Sequence, residues 1–98
     1  MQQVFAVISL RGSAWNSASP LEGQVDWDAH AVFMDGLHAE GLVLLAGPLE
    51  GTPNVLVVVR ADNAEEIRSR LSEDPWMRND LLRISVVAPW TLRIGSLG

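Results

Sequence analysis

Apolar residues recur along the chain with two different periods, and these periods predict alternating strands and helices. Four short stretches are almost wholly apolar and rich in branched side chains, which is typical of buried strands. They are residues 4–10, 42–49, 55–60 and 82–88. Between them, residues 26–40 and the stretch after Asp62 carry apolar side chains at helical spacing. The order β-α-β-β-α-β predicts an α+β, ferredoxin-like fold with a four-stranded antiparallel sheet.

Capping residues predict where the two helices begin and end. Asp26 or Asp28 can cap the first helix, and Gly41 can end it. In the second helix, Asp62 followed three positions later by a glutamate resembles a capping box. The apolar stripe of that helix is formed by Ala64, Ile67 and Leu71. Because the residue before a proline disfavours the helical region, Asp74 is expected to end the second helix.

The strands do not alternate between apolar and polar residues, and this predicts an oligomer. Residues 4–8 and 55–59 are apolar at every position, as in sheets that are covered on both faces. Two helices can cover only one face of a four-stranded sheet. The other face would expose a larger apolar patch than monomers usually tolerate. We therefore expect a homodimer that packs sheet to sheet.

Length and hydropathy predict one small domain. The 98 residues, 48% of them hydrophobic, suit a single unit with a core over about residues 4–90 and a C-terminal tail over 91–98. No apolar stretch approaches the roughly 20 residues that cross a bilayer, so no membrane association is expected. The N-terminal residues lack the positive charge of a signal peptide. The expected location is the cytoplasm.

Composition narrows the chemistry that the chain can perform. Cysteine is absent, which excludes disulfides, thiolate metal sites and cysteine nucleophiles. Lysine is also absent, so no Schiff base can form, and with a net charge of −5 we expect no binding to nucleic acid. The only side chains that ordinarily titrate near neutral pH are His30 and His38. Acid–base chemistry would therefore use these histidines or a carboxylate with a shifted pKa.

His30 is the main candidate for such chemistry, because it falls in the middle of the apolar face formed by Phe33, Met34 and Leu37. One interpretation is a structural histidine that bonds a backbone carbonyl. The other is a general acid or base in a pocket between the first helix and the sheet. His38 falls on the edge of the face, where it can interact with the helix dipole. Eight residues separate the two imidazoles, which is not a metal-ligand spacing, so no metal site is expected.

Several further residues have both a structural and a functional interpretation. Asp74-Pro75-Trp76 is either a helix stop with an anchoring aromatic or a carboxylate that orients an imidazole, although no nucleophile of a hydrolytic triad accompanies it. Gly47-Pro48 indicates a turn or a close backbone approach and no dinucleotide cradle. Arg11 is either a solvated strand end or a contact for an anionic substrate. Trp15 and Trp27 can roof a pocket or bury area at the dimer interface.

In their order and spacing, these motifs resemble the YCII-related family over residues 4–90. The motifs are a helix with a core-facing histidine, Leu37-His38-Ala39-Glu40-Gly41, Ala46-Gly47-Pro48-Leu49, Asp74-Pro75-Trp76 and a closing strand that ends in Pro89-Trp90. The resemblance implies a ferredoxin-like dimeric α/β barrel with His30 and Asp74 as an active-site dyad. One characterised kind of member is a dehydrochlorinase that acts on a chlorinated hydroxyquinol. Fold relatives include muconolactone isomerases and small monooxygenases that need no cofactor.

Two departures from the family pattern leave the substrate open. The loop over residues 11–24 has no counterpart in the pattern, and Trp76 stands where Phe or Tyr is commoner. The first hypothesis is an enzyme without cofactor or metal that acts on a small cyclic or aromatic compound, as an isomerase, lyase or dehydrochlorinase. The second is a non-catalytic dimeric module that binds a small ligand or a partner. The expected substrate-binding residues are Arg11, Trp15, Gly47, Pro48 and Trp76.

Overall fold

The computed structural model describes residues 1–97 and contains the expected strands and helices in the expected order. The elements are β1 (Gln3–Arg11), α1 (Trp27–Ala39), β2 (Val43–Pro48), β3 (Asn54–Ala61), α2 (Ala64–Leu71), α3 (Pro75–Arg78) and β4 (Leu82–Pro89), with a 3-10 turn at Leu21–Gly23 before α1. The strands form one antiparallel sheet in the order β2-β3-β1-β4. This confirms the α+β prediction and is compatible with a ferredoxin-like fold.

The chain after β4 is irregular, and the helices of the domain are short. Residues 91–97 form no helix or strand, and Gly98, the last residue of the predicted tail, lies outside the described residues. Within residues 1–97, every helix is too short or too polar to cross a bilayer.

The two faces of the sheet have different surroundings. Phe5 and Val7 of β1 point to the same face as Val57 and Val59 of β3, and this face packs in one core with Leu37 of α1. The buried residues of α2 belong to the same core. The opposite face is also apolar, and it includes exposed side chains: Leu10 (38%), Leu45 (57%) and Val86 (44%). The strands are therefore apolar on both sides, while the helices cover one side.

The first turn of α1 differs from the predicted cap. Asp26 occupies the N-cap position in a left-handed conformation (φ 60°), and its side chain makes no capping hydrogen bond. Its carboxylate instead accepts a hydrogen bond of 2.9 Å from Asn79 Nδ2, beyond the end of α3. Asp28 lies in the first turn, where its charge complements the helix dipole. The prediction of a capping bond from Asp26 was wrong because a tertiary contact uses that side chain.

The C-terminal end of α1 matches its prediction. Gly41 has φ 86°, which a residue with a side chain rarely adopts. Its N–H donates to His38 O at 3.0 Å, and the N–H of Leu42 donates to Leu37 O at 3.0 Å. This pair of bonds is the Schellman motif. It turns the chain directly from α1 into β2.

The cap of α2 lies one residue later than predicted. Asn63 is the N-cap, and its side chain accepts a hydrogen bond of 2.8 Å from the backbone N–H of Glu66. The Glu66 side chain in turn accepts from the backbone N–H of Asp62 at 3.1 Å. Two overlapping sequences, Asp62-x-x-Glu65 and Asn63-x-x-Glu66, both have capping-box spacing. Since β3 continues to Ala61, the helix starts at the second of them.

The loop between β1 and α1 is closed by a polar residue inside it. Gln24 is buried at 4% exposure. Its Nε2 donates to Asn16 O at 2.7 Å and to Ser19 O at 3.1 Å, and its Oε1 accepts from the Asn16 backbone at 2.9 Å. These bonds hold Trp15 and Leu21 of the loop against Trp76 and the start of β4.

Gly12 lies at a close approach between the end of β1 and the residue before β4. Its N–H donates to Leu81 O at 2.8 Å, and a Cβ at this position would lie 2.2 Å from Asp80 O. Asp80 itself has φ 60°. Hydrogen bonds from Arg83, and then from Ser13, hold the pKa of the Asp80 carboxyl well below its usual range.

We expect Gly12→Ala to lower the free energy of unfolding by about 1–3 kcal/mol, because the methyl group forces two backbone segments apart. The matched control is Gly36→Ala in α1, where a Cβ meets nothing within 4 Å. That change should raise stability by up to about 1 kcal/mol through helix propensity. Urea unfolding of both variants measures the difference. Equal effects of the two substitutions would contradict the close approach.

Candidate active site

The sequence Asp74-Pro75 begins a helix rather than ending one. The helix α2 ends at Leu71, three residues earlier than the prediction that Asp74 ends it. Asp74 has the extended backbone expected before a proline (φ −61°, ψ 129°), and its Oδ1 accepts a hydrogen bond of 3.0 Å from Trp76 N. Pro75 occupies the first position of α3, where its missing N–H is not needed. An aspartate cap followed by proline was a sequence signal for this turn.

His30 and Asp74, which are 44 residues apart in the sequence, lie side by side in the structure. His30 Nδ1 lies 2.9 Å from Asp74 Oδ1 and 2.8 Å from Oδ2. The Asp74 side chain is 1% exposed and that of His30 is 13% exposed. The histidine therefore bonds a buried carboxylate and not the backbone carbonyl of the structural interpretation.

This contact determines the tautomer of the imidazole. A carboxylate can only accept, so Nδ1 carries the proton and donates it, and in the neutral ring Nε2 keeps a lone pair. In the part of the chain that the structure describes, Ser9 Oγ is the only buried side-chain polar atom without a partner. Among the described residues, the hydrogen bonds of the His30 ring are formed by Nδ1 alone, and the side chain is 13% exposed. In this arrangement a neutral imidazole can accept a proton at Nε2 while the carboxylate holds the ring in place.

The indole of Trp76 holds the imidazole from a second direction. The two rings are stacked, with centroids 3.8 Å apart and planes 6° apart. Trp76 is 1% exposed, and its Nε1 donates to Val25 O at 2.7 Å. The turn at Asp74-Pro75-Trp76 thus supplies both the carboxylate and the aromatic face that fix His30.

Two more tryptophans surround this pair, in different roles. The Trp27 centroid lies 6.0 Å from that of His30, and Trp27 lines the adjacent cavity. Trp15 packs edge-on against Trp76 at 5.4 Å and 88°. The guanidinium of Arg11 lies 4.8 Å from the centre of the Trp15 ring. Trp15 therefore contacts Trp76 rather than His30, and Arg11 packs on the ring of Trp15.

A cavity of about 500 Å³ opens between α1 and the sheet, beside His30. The sheet contributes Ser9 of β1, Val57 of β3, and Gly47 and Pro48 of β2, the last two being among the predicted substrate-binding residues. Asp74 and Trp76 also line it, together with Met34, Ala46, Leu82 and other apolar residues. The volume lies within the range of small-molecule sites.

The cavity has no positively charged wall. Of the described residues that line it, the ionisable ones are His30, Asp35, His38 and Asp74. Arg11 and Trp15 do not line it, so the expected direct contacts of these two residues with a substrate have no support in the geometry. The reason is the cation–π contact, which holds Arg11 over the loop. No group of three or more potential metal ligands occurs within residues 1–97.

His38 lies near the end of α1 and has a clear structural contact. Its Nδ1 is 2.8 Å from Val43 O, so Nδ1–H donates to that carbonyl and ties the helix to β2. The residue is exposed and contributes to the cavity lining. Sequence reasoning did not identify His38, Ser9 or Met34 as lining residues, because the register of the sheet and the packing of α1 bring them together.

Comparison with known proteins leaves the site to be judged by its own geometry. No protein-family model matches the chain, and no curated protein is significantly similar to it. The resemblance to the YCII-related family therefore stays a prediction from the motifs.

We expect Asp74→Asn to reverse the tautomer of His30. The carboxamide oxygen would keep the bond to Trp76 N, which places the NH₂ group opposite His30 Nδ1. Because that group donates, the neutral imidazole would carry its proton on Nε2. The ¹⁵N NMR shifts of the His30 ring above neutral pH measure this. Glu40→Gln, in an exposed ion pair with Arg70, is the control. An unchanged tautomer after Asp74→Asn would contradict the assignment.

Proposed function

We propose that this chain is an acid–base enzyme of the YCII-related kind that needs no cofactor, with His30 as the general base and Asp74 as the group that orients it. The observation that carries the proposal is the buried His30–Asp74 pair, with bonds of 2.8 and 2.9 Å, beside a cavity of about 500 Å³. A carboxylate that hydrogen-bonds one imidazole nitrogen leaves the other nitrogen to act on a substrate, as in hydrolytic triads.

The proposed reaction moves a proton between the substrate and His30. Nε2 takes a proton from an acidic C–H of the substrate, and the resulting imidazolium is stabilised by the Asp74 carboxylate. In an isomerisation, the imidazolium returns the proton to another atom. In an elimination, the electrons of the broken C–H bond form a double bond while the leaving group departs with its own electron pair. General-base action of this kind accelerates reactions by about 10²–10⁴-fold.

The cavity wall indicates the class of substrate. Trp27, Met34 and Val57 are apolar, and the described lining contains two carboxylates and no arginine. An anionic substrate would meet only negative charge and neutral groups there. We therefore infer a small, neutral, cyclic or aromatic compound, which fits the apolar lining and the limited volume.

A second candidate function, a non-catalytic ligand-binding module, is favoured by the structural role of the same pair. The Asp74 carboxylate also caps α3, and Trp76 buries one face of the imidazole. These contacts give His30 and Asp74 a structural role that does not require any reaction. A chemical readout separates the two functions.

We expect His30→Gln to lower turnover by about 10²–10⁴-fold, because the base is removed while the volume is retained. Neutral cyclic compounds that raise Tm in a thermal-shift screen would be incubated with the protein in D₂O. Deuterium incorporation, isomerisation or release of a leaving group is then followed by NMR. Glu40→Gln should react like the wild type. Equal rates for wild type and His30→Gln would refute the enzyme proposal and favour the binding module.

We also propose that the chain forms a homodimer packed sheet to sheet. The evidence is the face of the sheet opposite the helices, here called the open face, which is apolar and partly exposed. Ile8 pairs with Val86 on this face, and Ala6 pairs with Val58. The exposed side chains there would be buried by the same face of a second copy.

At micromolar concentration, we expect a mass of about twice the 10.7 kDa chain by light scattering. Val86→Glu places a charge on the open face and should give a monomer. Val32→Glu, at a 73% exposed position on α1, is the control and should stay dimeric. A monomeric wild type would contradict the dimer.

A further inference from the structure

Ser9 has a buried hydroxyl that the fold does not use. The residue is 1% exposed, and its Oγ is the only buried side-chain N or O atom among residues 1–97 that has no hydrogen-bond partner. An unpaired buried hydroxyl destabilises a fold, and such groups are few in native proteins. An alanine at this position of β1 would avoid the cost of burying an unpaired hydroxyl.

The place of Ser9 in the fold connects it with the candidate active site. It lies on the helix-covered face of the sheet, opposite Val55 of β3, and it lines the same cavity as His30 and Asp74. The pairing of β1 with β4 also changes register at this point, between Ile8 and Ser9. The extra residue is Ser85 of β4, and such irregularities are frequent beside active sites.

The hydroxyl is a binding group rather than a nucleophile in this arrangement. A serine nucleophile needs a base within hydrogen-bonding distance. Ser9 Oγ has no bond to His30 or to any other described side chain. A hydroxyl can both donate and accept, so it matches an alcohol, a phenol or a carbonyl oxygen.

We propose that the Ser9 hydroxyl binds a polar group of the substrate and so holds the substrate ring against His30. The inference rests on the proposed function and adds to it a requirement on the substrate. The compound is a neutral ring that carries at least two hydrogen-bonding groups, one for Ser9 on the sheet and one near His30 Nε2. When bound, it supplies the partner that Ser9 lacks, and a ring without the second group binds less well because the hydroxyl stays unpaired.

Ser9→Ala tests the inference with two independent readouts. Catechol, which has two adjacent hydroxyls, is the probe, and phenol, which has one, is its matched control. We expect the variant to bind catechol about 3- to 10-fold more weakly by NMR titration, the loss of one hydrogen bond, and phenol within twofold of the wild type. The Tm of the free variant should stay the same or rise, because an unpaired buried group has been removed. Ser17→Ala, at an exposed serine in the loop after β1, should change neither readout.

The opposite outcomes overturn the inference. A lower Tm for Ser9→Ala with unchanged catechol binding would make the hydroxyl structural. If the wild type binds catechol no better than phenol, the second hydroxyl of catechol makes no hydrogen bond with Ser9, and the inference is wrong. Both measurements need no turnover, so they are independent of the deuterium experiment with His30→Gln. A failure of the Ser9 inference is therefore distinguishable from a failure of the proposed function.

Discussion

The buried carboxylate of Asp74 is the group on which the candidate site depends. Burying an ionised carboxylate is costly unless hydrogen bonds compensate for the lost water. Here its two oxygens accept from His30 Nδ1, and Oδ1 also accepts from Trp76 N. The same atom group thus starts α3, orients the imidazole and brings the Trp76 ring to the face of that imidazole. Loss of the negative charge would disturb all three contacts together.

The site combines parts from separate elements, and each is held by its own local structure. The helix α1 carries His30, and the Schellman motif at Gly41 sets where that helix meets β2. Asp74 caps the N-terminus of α3, while Gln24 and the contact at Gly12 hold the loop that packs against Trp76. The sheet contributes Ser9. Asp74 and Trp76 thus hold the imidazole of His30 beside the cavity, and acid–base catalysis requires a fixed geometry of this kind.

Much of the fold was predictable because apolar periodicity reports local conformation. The four strands and two main helices occur where the pattern placed them, with ends that differ by a few residues. Two errors in the helix boundaries came from short-range ambiguity. The cap of α2 had two candidates in adjacent registers, and Asn63 rather than Asp62 is used. The helix α3 spans only four residues, Pro75–Arg78, which is too short to show a period.

The sequence by itself determined the residue types that can act: two histidines, no cysteine and no lysine, with His30 on the core-facing side of a helix. The resemblance of the motifs named Asp74 as the partner of His30, but only the tertiary structure shows the two side chains in contact and Arg11 outside the cavity. It also revealed that the Ser9 hydroxyl is buried without a partner. The physical reason is that local spacing sets the direction of a side chain along its own element. Contacts between residues distant in sequence depend on strand register and on how helices pack against the sheet.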